Sequence, residues 1–357
     1  MGIVGLGARG LTALRLLALL DEARVTALCD LSPVAVEAAR VLLQQTEASV
    51  GRPPTARNAP LLTAHGDDAF HTLCRSPHVD LIYICSDWQT HTPIALEAMR
   101  AGKHVAIEVP AAVTMEDLWA LVRTSEQTQR HCVLLENCLY DPDIQLAIRR
   151  VHEGEIGQIV HAEGAYYHRL GDRWADWRLD INRRQCGDLY PTHELGPICM
   201  ALDINRGDSL QTLVCMDSVA VTGPELIQQR TGRRPDSFAN GDHTTTLIRT
   251  ARGVTILLKH DVMTPQPYDR SIHLIGTRGD LRAGVEDLDA ELVCTSFRSI
   301  HDPMTYEMNR RLIHSLAAGE PTDTDVYDLA TWCAVIPLSQ QSIRQGYAPV
   351  TFPDFHS

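Results

Sequence analysis

The sequence predicts an α/β protein in two parts. An N-terminal dinucleotide-binding domain over residues 1–140 is followed by a C-terminal α+β domain with an open, mainly antiparallel sheet over residues 141–357. Three observations predict this division. The turn Gly5-Leu6-Gly7-Ala8-Arg9-Gly10 sits between an apolar run, Gly2-Ile3-Val4, and the apolar stretch from Leu11 to Leu20. Strand and helix patterns then alternate up to about Val109, as a parallel sheet requires. From about Asp141 the runs alternate instead as strands of a half-exposed antiparallel sheet. A length of 357 residues also favours two domains over one.

Strand, glycine turn and apolar helix in that order form the Rossmann fingerprint. Gly5 permits the tight turn, Gly7 lets a pyrophosphate approach the backbone, and Gly10 lets the helix pack close on the strand. The free N–H groups and positive dipole end of the helix then hold phosphates. A second strand, Val25 to Cys29, ends at Asp30, about 20 residues after the turn, where an acidic ribose ligand is expected. A carboxylate there accepts from ribose hydroxyls and repels a 2′-phosphate. No arginine follows in Leu31-Ser32-Pro33, so the cofactor read from these residues is NAD and not NADP.

The remaining elements follow in order. Ser32-Pro33 starts a helix through Leu43, Glu47 to Pro60 reads as a surface excursion, and Asp67 to Leu73 as a short helix. The buried strand Val79–Cys85 ends at Ser86-Asp87-Trp88-Gln89-Thr90-His91-Thr92-Pro93, and the helix Ile94–Arg100 follows. Loops at the carboxyl ends of parallel strands are where such sheets bind ligands, which puts Trp88 and His91 at the cofactor. Lys103–Pro110 supplies the next strand and turn, and Thr114-Met-Glu-Asp117 a capped helix. Val133 to Tyr140 reads as a further strand, with Glu136 and Asn137 near its carboxyl end. In the second part, the helix Asp143–His152 precedes strands at Gln158–His168, Leu210–Val221, Asp242–Thr250, Val254–Asp261 and Ser271–Gly276. Helical patterns return at Met304–Ala318 and Asp325–Gly346.

Composition narrows the function. A formal net charge of −13 argues against nucleic-acid phosphate or an anionic membrane as the main partner. No apolar run is long enough to span a bilayer, and no basic-then-apolar leader opens the chain. The expected location is cytoplasmic for the chain as it stands, or periplasmic if a leader precedes it. The ten cysteines form no CxxC pair and read as buried free thiols, and no metal is expected. The expected partners are a small-molecule or terminal glycan substrate and a second copy of the chain in a homodimer.

The glycine turn, the loop ending Thr90-His91-Thr92-Pro93, and Gly102-Lys103-His104-Val105 with Glu108-Val109-Pro110 together resemble the Gfo/Idh/MocA oxidoreductases. Most of those are sugar or cyclitol dehydrogenases. Their usual turn is Glu-Lys-Pro with a lysine that serves catalysis, whereas here Val109 takes that place. Further stretches sharpen the likeness: Leu135-Glu136-Asn137-Cys138, His161 to His168, Trp177-Arg178, Tyr190-Pro191-Thr192-His193, Ala201 to Gly207, His260-Asp261-Val262, Thr264 to Tyr268, and Asp325 to Asp328. Along nearly the whole chain these resemble glycoside hydrolase family 109, the NAD-dependent α-N-acetylgalactosaminidases.

That resemblance implies site residues. Arg9, Gly10, Asp30, Trp88, Gln89, Thr90, His91, Glu108, Val109, Asn137 and His168 would contact NAD, with Gly5 and Gly7 shaping the turn. Tyr166, Arg178, Tyr190, Pro191, Thr192, His193 and Tyr268 would contact the sugar, with Glu136 close to the reacting carbons. The implied mechanism oxidises the sugar at C3, eliminates across C1–C2, adds water and reduces C3 again, so that NAD stays bound and is not consumed. His193 is the expected acceptor of the C3 hydroxyl proton, its pKa lying near operating pH. Tyr190, Tyr166 or Glu136 would handle the C2 proton or the leaving oxygen. The chain departs from the family at Glu194, where relatives have Gly, and at His301-Asp302-Pro303, where they have His-Gly-Gly-Met-Asp. Two other readings remain open: a sugar dehydrogenase that releases NADH, and a non-catalytic NAD-binding sensor.

Overall fold

The computed structural model describes residues 1–51, 60–170, 174–288 and 290–357. Most of the expected excursion before Pro60 and the side chains of Cys294 and His301 lie outside what is described. Met1–Leu135 with His301–Ala330 forms one compact unit, and Glu136–Ile300 with Thr331–Ser357 forms another.

The first unit is built on β1 (Gly2–Val4), β2 (Ala27–Asp30), β3 (Leu62–His65), β4 (Leu81–Ile84), β5 (His104–Ile107) and β6 (Cys132–Leu134). All pair in parallel, in the order β3-β2-β1-β4-β5-β6. This is the doubly wound order, which reverses at β1/β4 and places the ligand crevice outside the carboxyl ends of those strands. The central strands are apolar and buried, as helices on both faces of a parallel sheet require.

Local signals set the helix starts. Helix α1 (Ala8–Ala18) begins straight after Gly7, and α2 (Pro33–Ser49) is capped by Ser32, whose hydroxyl accepts from the Ala35 N–H. Helix α2 runs on to Ser49, past the expected end at Leu43. After α3 (Phe70–Arg75), α4 (Trp88–Arg100) is capped by Asp87, which confines Asp87 to a structural role at that turn. Helix α5 (Met115–Thr128) has the expected capping arrangement, with the Asp117 N–H donating to Thr114 Oγ1 at 3.2 Å.

His104, half-buried at the start of β5, couples this unit to pH. The His131 backbone N–H donates to His104 Nδ1 at 3.1 Å, and the two rings stand 5.1 Å apart. Burial, then the neighbouring His131 and Arg130, lower its pKa to about 4. The unfolded value is about 6.5, so between these limits the unfolded chain binds more protons. This contribution to stability is therefore complete above about pH 6.5 and is lost as pH falls towards 4. Urea midpoints measured across that window should fall less steeply in His104→Gln than in the parent. Equal slopes would remove His104 as the cause.

The second unit opens with a 3-10 turn, Asn137–Tyr140, and α6 (Pro142–His152). This corrects the strand expected from Val133 to Tyr140: β6 stops at Leu134, because the Glu136 carboxylate accepts the Cys138 N–H at 3.1 Å and folds the backbone into the turn. The sheet comprises β7 (Ile159–Tyr167), β8 (Leu210–Asp217), β9 (Thr244–Thr250), β10 (Thr255–Asp261), β11 (Tyr268–Gly276), β12 (Asp280–Leu288) and β13 (Val350–Thr351). Its order is β12-β11-β7-β10-β9-β8-β13, and only the central β7/β10 pair is parallel. The mainly antiparallel expectation holds. Residues of β9 alternate strictly between buried and exposed, so one face of the sheet is covered.

Helices α7 (Asp176–Arg184) and α9 (Thr222–Thr231) pack on each other, α8 (Thr192–Ala201) packs on β7, β10 and β11, and α12 (Val335–Arg344) packs on β8, whereas most of α10 (Ala290–Ala318) and of α11 (Val326–Cys333) falls in the first unit. Two of these, α7 and α9, were not anticipated. Helix α7 is rich in charge, with only Leu179, Ile181 and Asn182 buried. The cap of α9 comes from a distant residue: Asp242 accepts from the Val221 and Thr222 N–H groups and the Thr222 hydroxyl. That cap also ends the strand expected to reach Val221 at Asp217. Strand β12 was missed because its sequence is charged, a common device on an edge strand. Among the described residues the cysteines are free thiols, all but Cys85 buried.

Candidate active site

In the first unit the cofactor candidates gather around the glycine turn. Gly5 has φ +88°, and a Cβ there would meet the Cys85 and Ser86 backbone at about 2.5 Å. A Cβ on Gly10 would overlap the Gly5 carbonyl oxygen, whereas one on Gly7 would meet nothing within 4 Å. Gly7 thus leaves open space at the N-terminus of α1, the cradle a pyrophosphate needs. We expect Gly10→Ala to destabilise the unit by roughly 1–3 kcal/mol through overpacking. Gly7→Ala should leave stability nearly unchanged while weakening NAD binding. Paired melting curves and NAD titrations separate the two effects.

Asp30 ends β2 beside that turn. Its Oδ2 accepts from the Leu6 N–H at 2.7 Å and its Oδ1 from the Ser32 N–H at 2.8 Å. These bonds fix the carboxylate and leave each oxygen a further lone pair for a ribose hydroxyl. Arg9 Nε donates to Glu108 Oε1 at 2.6 Å. Trp88 and Val109 are buried, Gln89 is exposed, and Thr90 donates to Ser86 Oγ at 2.8 Å. His91 lies between two backbone carbonyls, those of Pro110 at 2.9 Å and Ser86 at 3.0 Å. Its ring ties two loops together, and what it offers a ligand is their fixed position. These residues fit a dinucleotide through the open Gly7 cradle and the oriented Asp30 carboxylate.

The second unit holds the other candidates. Pro191 is the N-cap of α8, and Thr192, His193 and Glu194 form its first turn. His193 Nδ1 lies 2.6 Å from Glu136 Oε1, and Cys138 Sγ lies 3.3 Å from the same nitrogen. Glu136 is 1% exposed. Burial opposes charge on both partners, but their attraction wins. Glu136 is held below the usual carboxylate value, while Cys138 and Glu136 hold His193 well above the usual imidazole value, which corrects the expectation that its pKa lies near operating pH. With Nδ1 turned to Glu136, Nε2 is the nitrogen that a substrate hydroxyl would meet.

Aromatic rings surround this dyad. Tyr166 stands 4.8 Å from the His193 ring and Tyr190 5.0 Å, centroid to centroid. Tyr166 Oη is 2.9 Å from His168 Nδ1, and the His168 ring meets Tyr268 edge-on at 4.9 Å. Burial, followed by Tyr268 and Tyr190, pushes the Tyr166 phenol well above its usual pKa, so it stays protonated and able to donate. The Arg178 guanidinium lies over the rings of Trp177 at 5.3 Å and Tyr190 at 5.7 Å. Beneath Tyr166 and Tyr190, Trp174, Leu179 of α7, Leu226 of α9 and Val262 form a hydrophobic cluster. The two unanticipated helices therefore buttress the site.

The fold thus brings together Glu136, Tyr166, His168, Tyr190, His193 and Tyr268, with Thr192 and Asn137 buried nearby in sequence. Asn137 and His168, expected at the cofactor, belong to this second unit. Sequence reasoning missed Cys138 against His193, and it missed Arg270, which donates to Asp141 Oδ2 at 2.9 Å and to Tyr268 Oη at 3.1 Å. It also gave no role to Asp188 and His260, which gather with Glu194 in the core. Glu194 alone carried a signal, as a charged residue in the first turn of an otherwise apolar helix.

A paired carboxylate and imidazole ringed by tyrosines can take a proton from a hydroxyl and give it back, and the first unit can seat a dinucleotide. Comparison with known proteins finds matches along both units. Residues 1–135 match the oxidoreductase family with an NAD-binding Rossmann fold, and residues 140–293 and 295–357 match the glycosyl hydrolase 109 C-terminal domain. The chain is 41% identical to a glycosyl hydrolase family 109 protein of Porphyromonas gingivalis, over 99% of this chain and 84% of that protein. It is 39% identical to glycosyl hydrolase family 109 protein 1 of Bacteroides thetaiotaomicron, over the same shares. Among solved structures, myo-inositol 2-dehydrogenase of Lactobacillus plantarum aligns with a TM-score of 0.77 at 15% identity, covering 99% of this chain and 98% of that one. Myo-inositol dehydrogenase of Lactobacillus casei, in complex with NAD(H) and myo-inositol, aligns with a TM-score of 0.71 at 16% identity, covering 100% and 98%. Those two likenesses describe the fold alone. With both halves matched and nearly the full length shared with its relatives, the chain belongs to glycoside hydrolase family 109, within the Gfo/Idh/MocA oxidoreductase superfamily.

Proposed function

We propose that this protein is an NAD-dependent glycosidase that removes terminal α-N-acetylgalactosamine, or a closely related sugar, by oxidation at C3, elimination across C1–C2, addition of water and reduction at C3. Bound NAD would supply the reversible hydride transfer that opens and closes the cycle, leaving no net redox change. Gly5, Gly7, Arg9, Gly10, Asp30, Trp88 and Glu108 are the residues of the first unit that would hold it.

The protein's own side chains supply the proton chemistry. In the neutral form of the ring His193 Nε2 would receive the C3 hydroxyl proton, and the neighbours that raise its pKa would stabilise the imidazolium that results. Glu136 would act as a positioning residue, its Oε1 fixing the tautomer through the 2.6 Å contact with Nδ1. This reading revises the direct role of Glu136 at the reacting carbons. Tyr166 and Tyr190 flank His193 and are the remaining donors and acceptors for the C2 proton and the leaving oxygen. Arg178, held against Tyr190, would orient the sugar by directed hydrogen bonds. The single observation that carries the reading is the Glu136–His193 dyad inside a ring of tyrosines, in a chain with valine where dehydrogenases of this superfamily keep a lysine.

The test is incubation with a nitrophenyl α-N-acetylgalactosaminide in deuterated water. The proposal expects nitrophenol release, deuterium at C2 of the product and no accumulation of NADH. Stoichiometric NADH from a free sugar would support the dehydrogenase reading. NAD binding without release from any nitrophenyl glycoside would support a sensor. We further propose a homodimer, which light scattering would establish or replace with another state.

A further inference from the structure

Behind the first turn of α8, three ionisable side chains meet in the core of the second unit. Asp188 precedes the helix, Glu194 lies in it and His260 stands on β10. They are 0%, 1% and 4% exposed. Among the described residues their ion-pair contacts run to one another: His260 Nδ1 is 3.7 Å from Asp188 Oδ1 and 3.5 Å from Glu194 Oε1. No lysine or arginine among the described residues joins them. Asp188 Oδ2, both Glu194 oxygens and His260 Nδ1 are buried without a hydrogen-bond partner. Two carboxylates side by side in the interior, opposed at most by one imidazole, are costly unless something more positive stands among them.

The separations suggest what that is. They are too long for hydrogen bonds. Zinc binds imidazole nitrogen and carboxylate oxygen at about 2.0–2.2 Å, so neighbouring ligands of a tetrahedral site lie roughly 3.3–3.6 Å apart. One ligand atom from each of the three side chains lies within 4.8 Å of the others. We propose that Asp188, Glu194 and His260 form a buried site for a divalent cation of the zinc class, with a fourth position open to water. Two carboxylates neutralise the ion's charge, and imidazole with carboxylate is a donor set that zinc accepts.

The ion would have a structural role. The Tyr190 N–H donates to Asp188 Oδ1 at 3.3 Å, His193 directly precedes Glu194, and the Tyr166 ring stacks on His260 at 5.8 Å and 25°. The three ligands thus anchor the three segments that display Tyr190, His193 and Tyr166.

The test needs no substrate. The full-length protein is stripped with chelator, loaded with zinc, freed of unbound metal by gel filtration and measured by elemental analysis. The expected result is about one zinc per chain in the parent and at least about tenfold less in Glu194→Gln and Asp188→Asn. Zinc should raise the melting temperature of the parent and not that of Glu194→Gln. Cobalt in place of zinc should give visible bands without a thiolate charge-transfer band. Cys138→Ser should keep its zinc, whereas its loss there would move the metal to Glu136, Cys138 and His193 and overturn the proposal. Failure of the parent to retain zinc, or full retention in both acid variants, would overturn it too. Loading of the parent involves no substitution, so a variant that fails to fold does not shelter the idea.

Discussion

Replacing His193 by alanine is expected to lower kcat on an α-N-acetylgalactosaminide by about 10³-fold, the usual worth of a positioned acid–base group. Bound dinucleotide should change little, whereas the melting temperature should fall, because the buried Glu136 carboxylate loses its partner. His193 is buried in the second unit, and Gly5, Gly7 and Asp30 are in the other unit. Glu136→Gln should follow with a loss of about 10²-fold or more in kcat and a smaller change in KM. An amide still fills the space but no longer fixes the Nδ1–H tautomer or balances the imidazolium. Steady-state kinetics with dinucleotide content measured on the same samples decide the matter. If Glu136→Gln raised KM alone, Glu136 would be a substrate contact and not a partner of His193. If His193→Ala retained full turnover, the proposed chemistry would fail with it.

Asp141→Ala should give the largest loss of stability. Arg270 is 2% exposed, and its guanidinium donates to Asp141 Oδ2 and Tyr268 Oη. Removing the carboxylate strands a buried positive charge, which costs about 3–5 kcal/mol. Asp141 is also the N-cap of α6, accepting the Asp143 N–H at 2.9 Å, and losing a cap costs about 1 kcal/mol more. Urea unfolding of the parent, of Asp141→Ala and of the double variant Asp141→Ala/Arg270→Met measures this. The double variant should recover much of the loss, because it removes the unpaired charge as well. A single-variant loss below about 1 kcal/mol would show that the pair is solvated and contributes little.

The parallel sheet and its ligand end were legible because their signals are local. Glycines at 5, 7 and 10, the apolar four-residue strands, and caps such as Ser32 and Thr114 each act within a few residues of themselves. Helices α7 and α9 were not legible for the opposite reason. Their cap and their packing partners come from elsewhere in the chain, as Asp242 does for Val221 and Thr222. The site divides in the same way. Tyr166, Tyr190, His193 and Tyr268 could be chosen from motifs, but the motifs do not say which atoms meet.

The sequence by itself determined the two-part fold, the glycine cradle with its acidic strand end, and the family. Backbone conformation and short-range hydrogen bonding depend on neighbours in the chain, and the family motifs are long enough to survive divergence. Only the tertiary structure decided that Glu136 meets His193, that Cys138 shares the same nitrogen, that Arg270 links Asp141 to Tyr268, and that Asp188, Glu194 and His260 converge. The contacts of Glu136 and Cys138 with His193 and of Arg270 with Asp141 join residues 55 to 129 positions apart, and His260 reaches Asp188 and Glu194 from another element. Burial fixes their charges, and burial depends on the whole unit having folded.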